Sequence, residues 1–270
     1  MSDNSMMISK NQKVNEEEKL DSYILEVEED IDPFEAKKLN VVGQRVQRKD
    51  SASKVNGQAQ YAGDFNPPDM LYGKALRSEY PHAKILNIDV SKAKKIPGVH
   101  AVLTSKNIPG NNLFGLDILD QPVLADDKVR MMGDAVALVA ADSVDICEVA
   151  LRAIEVEYEE LPAVYTIEDA LKEDAPRVHD GPNLMQHTKV RKGNIDAGLA
   201  KCKYIVENTY TTQRVDHAYI EPETSLAYMD SDGVMHVITS TQYAARDRRQ
   251  IAPVLDLPIN KVHVKQATTG

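Results

Sequence analysis

His217 and Glu221 are the residues whose types and spacing come closest to metal chemistry, because they stand four positions apart in the C-terminal third of the chain. An imidazole and a carboxylate are both accepted ligands of transition metals. Structural and catalytic zinc sites use three or four protein ligands, and no third histidine or cysteine stands beside this pair. The pair alone therefore does not predict a metal site.

Three arginines, Arg246, Arg248 and Arg249, fall within a helical pattern that begins near Ala244. Guanidinium groups grouped in this way can bind a cofactor phosphate or a partner chain. A solvated helix face is the alternative interpretation, and the residues themselves leave both open.

Several cofactor motifs do not occur in this sequence. The two cysteines, Cys147 and Cys202, cannot form a disulfide framework or a four-thiolate cluster, so we expect two small buried or half-buried side chains. The isolated glycines Gly115, Gly133 and Gly193 lack the spacing that cradles phosphates. An iron–sulfur centre or a flavin, if either is used, must therefore be bound by another chain or domain.

Composition and charge exclude several classes of function. The chain has 270 residues, 42% of them hydrophobic, and a formal charge of −10. Residues 1–39 hold 11 acidic and 5 basic residues, whereas the rest holds 31 and 27, so the folded part is nearly neutral and nucleic acid is not expected as a partner. No apolar run approaches the ~18 residues that a membrane span needs, and residues 1–5 do not resemble a secretory signal. We expect a cytoplasmic chain with an acidic, disordered leader over residues 1–40.

Alternating strand and helix patterns predict a compact α/β domain over residues 41–173. Ser143 is expected to cap one helix and Thr166 another. The continuous apolar run at 134–141 predicts a buried central strand. The other predicted elements are strands at 70–77, 83–90, 99–104 and 154–159 and a short helix at 92–95.

A turn-rich stretch, 174–192, predicts a linker before a second unit at 193–270. In that unit the patterns predict a helix at 195–202, a long strand at 204–213 and a hairpin of strands 224–229 and 234–240. They also predict a helix at 244–255 and a strand at 262–264. We expect this unit to be incomplete, with a sheet that needs further strands.

An ordered set of motifs between about residue 41 and residue 270 resembles the xanthine dehydrogenase/aldehyde oxidase family, in the N-terminal part of its molybdopterin-binding subunit. The most typical are EYEELP at 157–162, HAYIEP at 217–222 and STQ at 240–242. The others lie at 54–61, 68–72, 77–83, 96–99 and 133–137. The resemblance implies an α/β hammerhead domain, of mixed α+β or α/β class, followed by the start of a molybdopterin-binding domain. A finer likeness to nicotinate dehydrogenase is also expected.

The resemblance assigns Gln242 to the glutamine whose side-chain amide hydrogen-bonds the oxo ligand of the molybdenum. A neutral amide can donate to a partly negative oxygen without adding charge beside the metal. From the residues alone, the alternative is that Gln242 caps the helix beginning near Ala244. In this family pattern, His217, Glu221 and Pro222 are expected to shape a loop near the pterin, with no direct metal ligand among them.

Gly270 matches the first glycine of the family's Gly-rich cofactor loop, whose backbone approaches the cofactor closely enough to exclude a Cβ. The general-base Glu and the substrate pocket are expected outside this chain, so no catalytic residue is assigned in it. We expect the chain to stop within that loop and to lack activity alone.

The function implied by the resemblance is hydroxylation of an electron-poor carbon with oxygen derived from water. The cofactor is expected to be molybdenum–molybdopterin, in its cytosine dinucleotide form, with 2Fe-2S and FAD in partner subunits or domains. The expected partners are the remainder of the molybdopterin subunit, the iron–sulfur and FAD subunits, and a small heteroaromatic or aldehyde substrate. A non-catalytic docking subunit and an inactive fragment remain the alternatives.

Overall fold

The structure is a computed structural model that describes residues 40–270, and the chain divides into two compact units, residues 1–58 and residues 59–270. The predicted acidic leader over residues 1–40 lies outside the described residues except for its last position. In the smaller unit, helix α1 (Ser51–Val55) follows a loop in which Arg48 pairs with Asp50 at 2.8 Å.

Every sheet formed by residues 40–270 lies in the larger unit. Its remaining helices are α2 (Val144–Arg152), α3 (Ile167–Ala170), α4 (Ile195–Leu199) and α5 (Ala244–Val254). Its strands are β1 (Tyr72–Arg77), β2 (Ala83–Asp89), β3 (Val99–Thr104), β4 (Leu113–Phe114), β5 (Gln121–Pro122), β6 (Lys128–Val129), β7 (Ala135–Ala141), β8 (Glu155–Glu160), β9 (Ser225–Met229), β10 (Met235–Thr239) and β11 (Val262–Gln266). The predicted domain boundaries at residues 173 and 193 stay predictions.

The central strand of the first sheet is β7, which pairs antiparallel with β1 on one side and β3 on the other. Its continuous apolar run is buried or half-buried at every position, which confirms the prediction of a buried central strand at residues 134–141. Helix α2 covers this sheet with the buried residues Cys147 and Ala150. Ser143 caps α2 by accepting a hydrogen bond from the Ile146 amide at 3.2 Å, as predicted.

The second sheet has the order β6-β2-β8, and its pairs are also antiparallel. The alternation in β8 places Tyr158 against Tyr80, with ring centroids 4.8 Å apart, and leaves its glutamates exposed. His82, buried at the start of β2, donates from Nδ1 to the Pro162 carbonyl at 2.7 Å and so ties β2 to the end of β8. These two sheets form the hydrophobic centre of residues 62–160.

The segment between β3 and β6 joins this domain to helix α5. The Gly110 and Asn111 amides donate to the Val254 and Pro253 carbonyls at 3.0 and 2.9 Å. The side chain of Asn112 in turn bonds both backbone groups of the buried Leu124, at 2.8 and 3.1 Å. Backbone groups at the end of α5 are thereby paired with a loop that is distant in the sequence.

The third sheet has the order β9-β10-β11. Strands β9 and β10 form the predicted hairpin, and β11 lies parallel to β10 after a crossover through α5. Val237 and Val262 are buried beneath α5, whose Ala252 is also buried. The result is a β-α-β unit, in which both parallel strands end at the same edge of the sheet.

The strand predicted at residues 204–213 is wrong, because residues 203–219 form no regular secondary structure. The β-branched and aromatic residues there have strand propensity, but the described residues place no hydrogen-bonded strand beside them. Tyr204, Val206 and Tyr210 are instead 67%, 82% and 85% exposed. The helix predicted at 195–202 also ends early, at Leu199, which leaves Cys202 exposed rather than buried.

Within residues 40–270, no helix combines the length and the apolar character that a bilayer crossing requires.

Replacing Gly110 with alanine is expected to lower the free energy of unfolding by about 1–3 kcal/mol, the usual cost of forcing an extra methyl group into a packed site. A Cβ at this position would lie 2.0 Å from the Pro253 carbonyl oxygen, which is backbone and cannot rotate away. The measurement is the urea midpoint of the purified chain. Gly181→Ala is the matched control, because a Cβ there would meet no atom within 4 Å. Equal midpoints for the two variants would contradict the proposed junction.

Candidate functional site

Gln242 and Gly270, the two site residues predicted from the sequence, lie at the same edge of the third sheet. Strands β10 and β11 both end at this edge. Thr239, the last residue of β10, pairs in register with Gln266, the last residue of β11. The Ala267 amide then donates to the Thr239 carbonyl at 2.9 Å, which extends the pairing beyond the strands. Ligands of β-α-β sheets bind at the carboxyl ends of their parallel strands, so this edge is the natural candidate site.

A cavity of about 1230 Å³ opens at this edge. Gln242 and Gly270 both line it, as do segments from two other parts of the larger unit. Its remaining lining residues are Tyr61, Gly63, Asp64, Tyr219, Ile220, Glu221, Pro222, Glu223, Thr224, Ser240, Thr241, Gln266 and Thr269.

The side chain of Gln242 is exposed to this cavity and makes no hydrogen bond to any described residue. Helix α5 does not use it as a cap, because the N-cap position is Tyr243 and no side chain caps the helix there. The Tyr243 amide instead donates to the Thr241 hydroxyl at 3.0 Å. Gln242 therefore does not take the helix-capping role that was its alternative interpretation. The carbonyl oxygen and the NH2 group of its side-chain amide both remain available to a bound molecule.

Hydroxyl groups hold the strand end that precedes Gln242. Ser225 donates to the Thr239 hydroxyl at 2.7 Å, and Thr239 donates to the Thr224 carbonyl at 3.3 Å. These bonds link β9 to β10 directly below the Ser240–Gln242 segment. The backbone that carries Gln242 is thus supported by side-chain bonds in addition to the sheet.

Glu221 and Gly270 are in direct contact although 49 positions separate them in the sequence. The Gly270 amide donates to Glu221 Oε2 at 2.5 Å, and a Cβ on residue 270 would lie 3.0 Å from that oxygen. The second carboxylate oxygen, Oε1, is buried and has no hydrogen-bond partner among residues 40–270. A buried carboxylate oxygen left unpaired is costly, so a donor from a bound molecule would stabilise the site.

The other wall of the cavity comes from residues 61–64. Tyr61 forms an isolated parallel bridge with Thr268, and its amide donates to Asp64 Oδ2 at 2.9 Å. Asp64, Glu221 and Glu223 give the lining three carboxylates, and the part of the lining that the structure describes contains no lysine or arginine. This described lining therefore suits a ligand rich in N–H or O–H donors better than it suits phosphate. The sequence motif at 54–61 pointed to this region but did not indicate which residues reach the cavity.

The other candidates from the sequence do not join this site. The ring of His217 stacks on that of Tyr219, with centroids 5.6 Å apart. Arg248 donates from Nε and Nη2 to the Ile259 carbonyl at 2.9 and 2.7 Å, and Arg246 lies over the Tyr243 ring at 5.2 Å. Across residues 40–270, no group of three or more His, Cys, Asp and Glu side chains is arranged to hold a metal ion.

Two family profiles match successive parts of the chain. The profile described as "Aldehyde oxidase and xanthine dehydrogenase, a/b hammerhead domain" matches residues 56–162. The profile described as "Molybdopterin cofactor-binding domain" matches residues 178–270, which include Glu221, Gln242 and Gly270. Together they account for both parts of the expected architecture.

Similar proteins include the nicotinate dehydrogenase large molybdopterin subunit of Eubacterium barkeri, which is 46% identical over 234 residues. That match covers 87% of this chain and 55% of the relative. The xanthine dehydrogenase of Oryza sativa is 36% identical over 233 residues, with 85% of this chain and 17% of the relative covered. The chain thus spans about half of one of these relatives and under a fifth of the other.

Among solved structures, the aldehyde oxidoreductase of Desulfovibrio gigas superposes with a TM-score of 0.76 at 30% identity, covering 83% of this chain and 26% of that one. Quinoline 2-oxidoreductase of Pseudomonas putida 86 gives a TM-score of 0.75, also at 30% identity, covering 84% of this chain and 30% of that one. These matches confirm the expected fold class. The chain therefore belongs to the xanthine dehydrogenase/aldehyde oxidase family, with its hammerhead domain followed by a part of its molybdopterin cofactor-binding domain.

Proposed function

We propose that this chain is the N-terminal portion of the molybdopterin subunit of a molybdenum hydroxylase, and that the edge cavity of the third sheet forms one wall of the cofactor site. The observation that supports it most directly is the Gln242 amide, which faces the cavity without any hydrogen-bond partner among the described residues. The substrate class is a small heteroaromatic molecule or an aldehyde, in keeping with the activities named for the relatives.

The residues present fit a molybdopterin group in three ways. Gln242 offers a neutral donor, Gly270 allows close approach of backbone, and Glu221 Oε1 is a buried acceptor that lacks a donor. When bound, the molybdenum–pterin group supplies the redox chemistry that adds oxygen from water to an electron-poor carbon. This chain supplies hydrogen bonds and shape, and the general base lies outside it.

Gln242 acts in this proposal as a positioning donor. Its amide donates to an electron-rich atom of the bound group without introducing a charge, so it orients that group and leaves its net charge unchanged. The hydroxyl bonds around Thr239 support the backbone next to it, and the side chain has no hydrogen bond to a described residue that a ligand would have to break.

Glu221 acts as the anchor of the opposite side. It holds the Gly270 amide with one oxygen, and its other oxygen accepts from an N–H donor of the bound group. Since the described lining contains no lysine or arginine, the proposal places the phosphate end of the cofactor outside this cavity. We extend the proposal to the cytosine dinucleotide form of the cofactor, which is tested by releasing and identifying the nucleotide from the purified subunit.

Electron transfer in this proposal uses partner subunits or domains that contain 2Fe-2S and FAD. The support is that Cys147 and Cys202, both free thiols, are the only cysteines of the chain and cannot hold an iron–sulfur cluster. The name of the nicotinate dehydrogenase relative, a large molybdopterin subunit, also implies that further subunits accompany it. Free thiols are in keeping with a reducing, cytoplasmic compartment.

Replacing Gln242 with alanine in the assembled holoenzyme is expected to lower kcat by about 10–100-fold, the range seen when a supporting hydrogen bond at a metal group is removed. Molybdenum content should remain near that of the parent, because the fold does not depend on this exposed side chain. Steady-state kinetics and metal analysis measure the two quantities. Gln213→Ala is the matched control, an exposed glutamine outside the cavity. Unchanged kcat in Gln242→Ala would contradict the role assigned to Gln242.

Replacing Glu221 with alanine is expected to speed amide hydrogen exchange at Gly270 by about 10–100-fold, because a hydrogen bond to a charged group contributes about 1.5–3 kcal/mol. The same variant should retain less molybdopterin. Glu221→Gln keeps one oxygen that can accept from Gly270 and should lie between alanine and the parent. Mass-spectrometric hydrogen exchange and pterin fluorescence are the readouts, with the exposed Glu207→Ala as control. Slow exchange at Gly270 in Glu221→Ala would show that another group holds this loop.

A further inference from the structure

The third sheet has a second concentration of chemically active side chains, on two neighbouring strands. His236 on β10 and His263 on β11 are paired in register across the parallel ladder, so their side chains project from the same face. Their Nδ1 atoms lie 3.2 Å apart, and the two rings meet edge to face at 87°. His236 is half-buried and His263 is exposed, so solvent reaches the pair from the β11 side.

The distance between the two nitrogens matches the separation of two ligands on one metal ion. Zinc–imidazole bonds of about 2.0–2.1 Å place two nitrogens about 3.3–3.4 Å apart at a tetrahedral angle, and about 2.9 Å apart at a right angle. The observed separation falls between these limits. A shared metal ion requires the exposed His263 ring to turn until both lone pairs meet at one point.

Asp230 sets the tautomer of His236. The His236 Nε2 atom lies 2.8 Å from Asp230 Oδ2, so Nε2–H donates to the carboxylate and the Nδ1 lone pair is directed at His263. A carboxylate that accepts from the remote nitrogen of a ligating histidine is the usual outer support of a protein metal site.

Tyr228 fixes the His236 ring from the other side. It lies opposite His236 in the β9–β10 ladder, and the two rings stack at 5.0 Å with 7° between their planes. The ring is therefore held by a hydrogen bond at one nitrogen and by stacking on its face. Such restraint lowers the entropy lost when a metal binds.

We propose that His236 and His263 form a two-histidine chelate for a divalent transition metal such as Zn²⁺ or Ni²⁺, with water completing the coordination shell. Without metal, His263 Nδ1–H donates to His236 Nδ1; binding moves the His263 proton to its exposed Nε2. Because only two protein ligands contribute, binding is weaker than at a closed zinc site. The pair uses neither Gln242 nor Gly270, so it does not depend on the proposed function.

The test is calorimetric titration of the purified, tag-free chain with ZnCl₂ and, separately, with NiCl₂. We expect one saturable site per chain, at least tenfold weaker in His263→Ala and in His263→Gln. Asp230→Asn should weaken binding about tenfold, since the amide retains the oxygen that accepts from the Val234 amide but no longer accepts from His236. His187→Ala, an exposed histidine outside the sheet, is the matched control and should bind like the parent.

Three results would overturn the proposal. The first is the absence of saturable binding of either metal by the parent chain. The second is equal affinity in the parent, His263→Ala and His263→Gln, provided that circular dichroism shows all three folded. His263 is exposed, so neither replacement is expected to unfold the sheet. Loss of binding in His187→Ala to the same extent as in His263→Ala would also place the metal elsewhere.

Discussion

The parallel pairing of β10 with β11 is the constraint on which both the edge cavity and the His236–His263 pair depend. Its register places Thr239 beside Gln266, and therefore brings Gln242 and Gly270 to one cavity. The same register places His236 beside His263. A slip of one residue would turn every side chain of one strand to the opposite face, which would move Val262 out of the core. Burial of Val237 and Val262 on one face of the sheet therefore fixes the register. That register decides which side chains meet at the cavity edge and on the opposite face.

Helix α5 enforces that register, and it does so with help from the hammerhead domain. The helix is the crossover that a parallel pair requires, and it covers Val237 and Val262. Its last carbonyls are paired by the Gly110 and Asn111 amides, groups that belong to a loop more than 130 residues earlier in the chain. Since unpaired carbonyls at a helix end are costly when buried, the loop and the helix stabilise each other. The two domains are joined by backbone bonds as well as by packing.

Local patterns were sufficient to predict most elements, because each had a signal within about ten residues. The apolar run of β7 and the Ser143 cap are examples in which burial or a single hydrogen bond depends on neighbours in the sequence. The strand expected at 204–213 was wrong because strand formation needs a partner, and propensity contains no information about one. The contact between Glu221 and Gly270 was equally invisible, since no local pattern links residues 49 positions apart. The placement of Gln242 and Gly270 at the cavity was expected only through the family resemblance; composition and spacing did not indicate it.

The polar groups of the candidate site differ from those of the surrounding sheet in how completely they are paired. Around Thr239, hydroxyls and backbone groups satisfy one another's hydrogen bonds. Three residues after Thr239, Gln242 has no hydrogen-bond partner among the described residues, and one oxygen of Glu221, which lines the same cavity, is buried without one. A folded protein can tolerate a few unpaired polar groups where a ligand supplies their hydrogen-bond partners. The positions of these groups are then set by the hydrogen-bonded residues around them, and not by the ligand. Cofactor binding is therefore supported less by the size of the cavity than by its polar groups. The strand end at Thr239 is hydrogen-bonded, whereas Gln242 and Glu221 face the cavity with atoms that lack a partner within the described part of the chain.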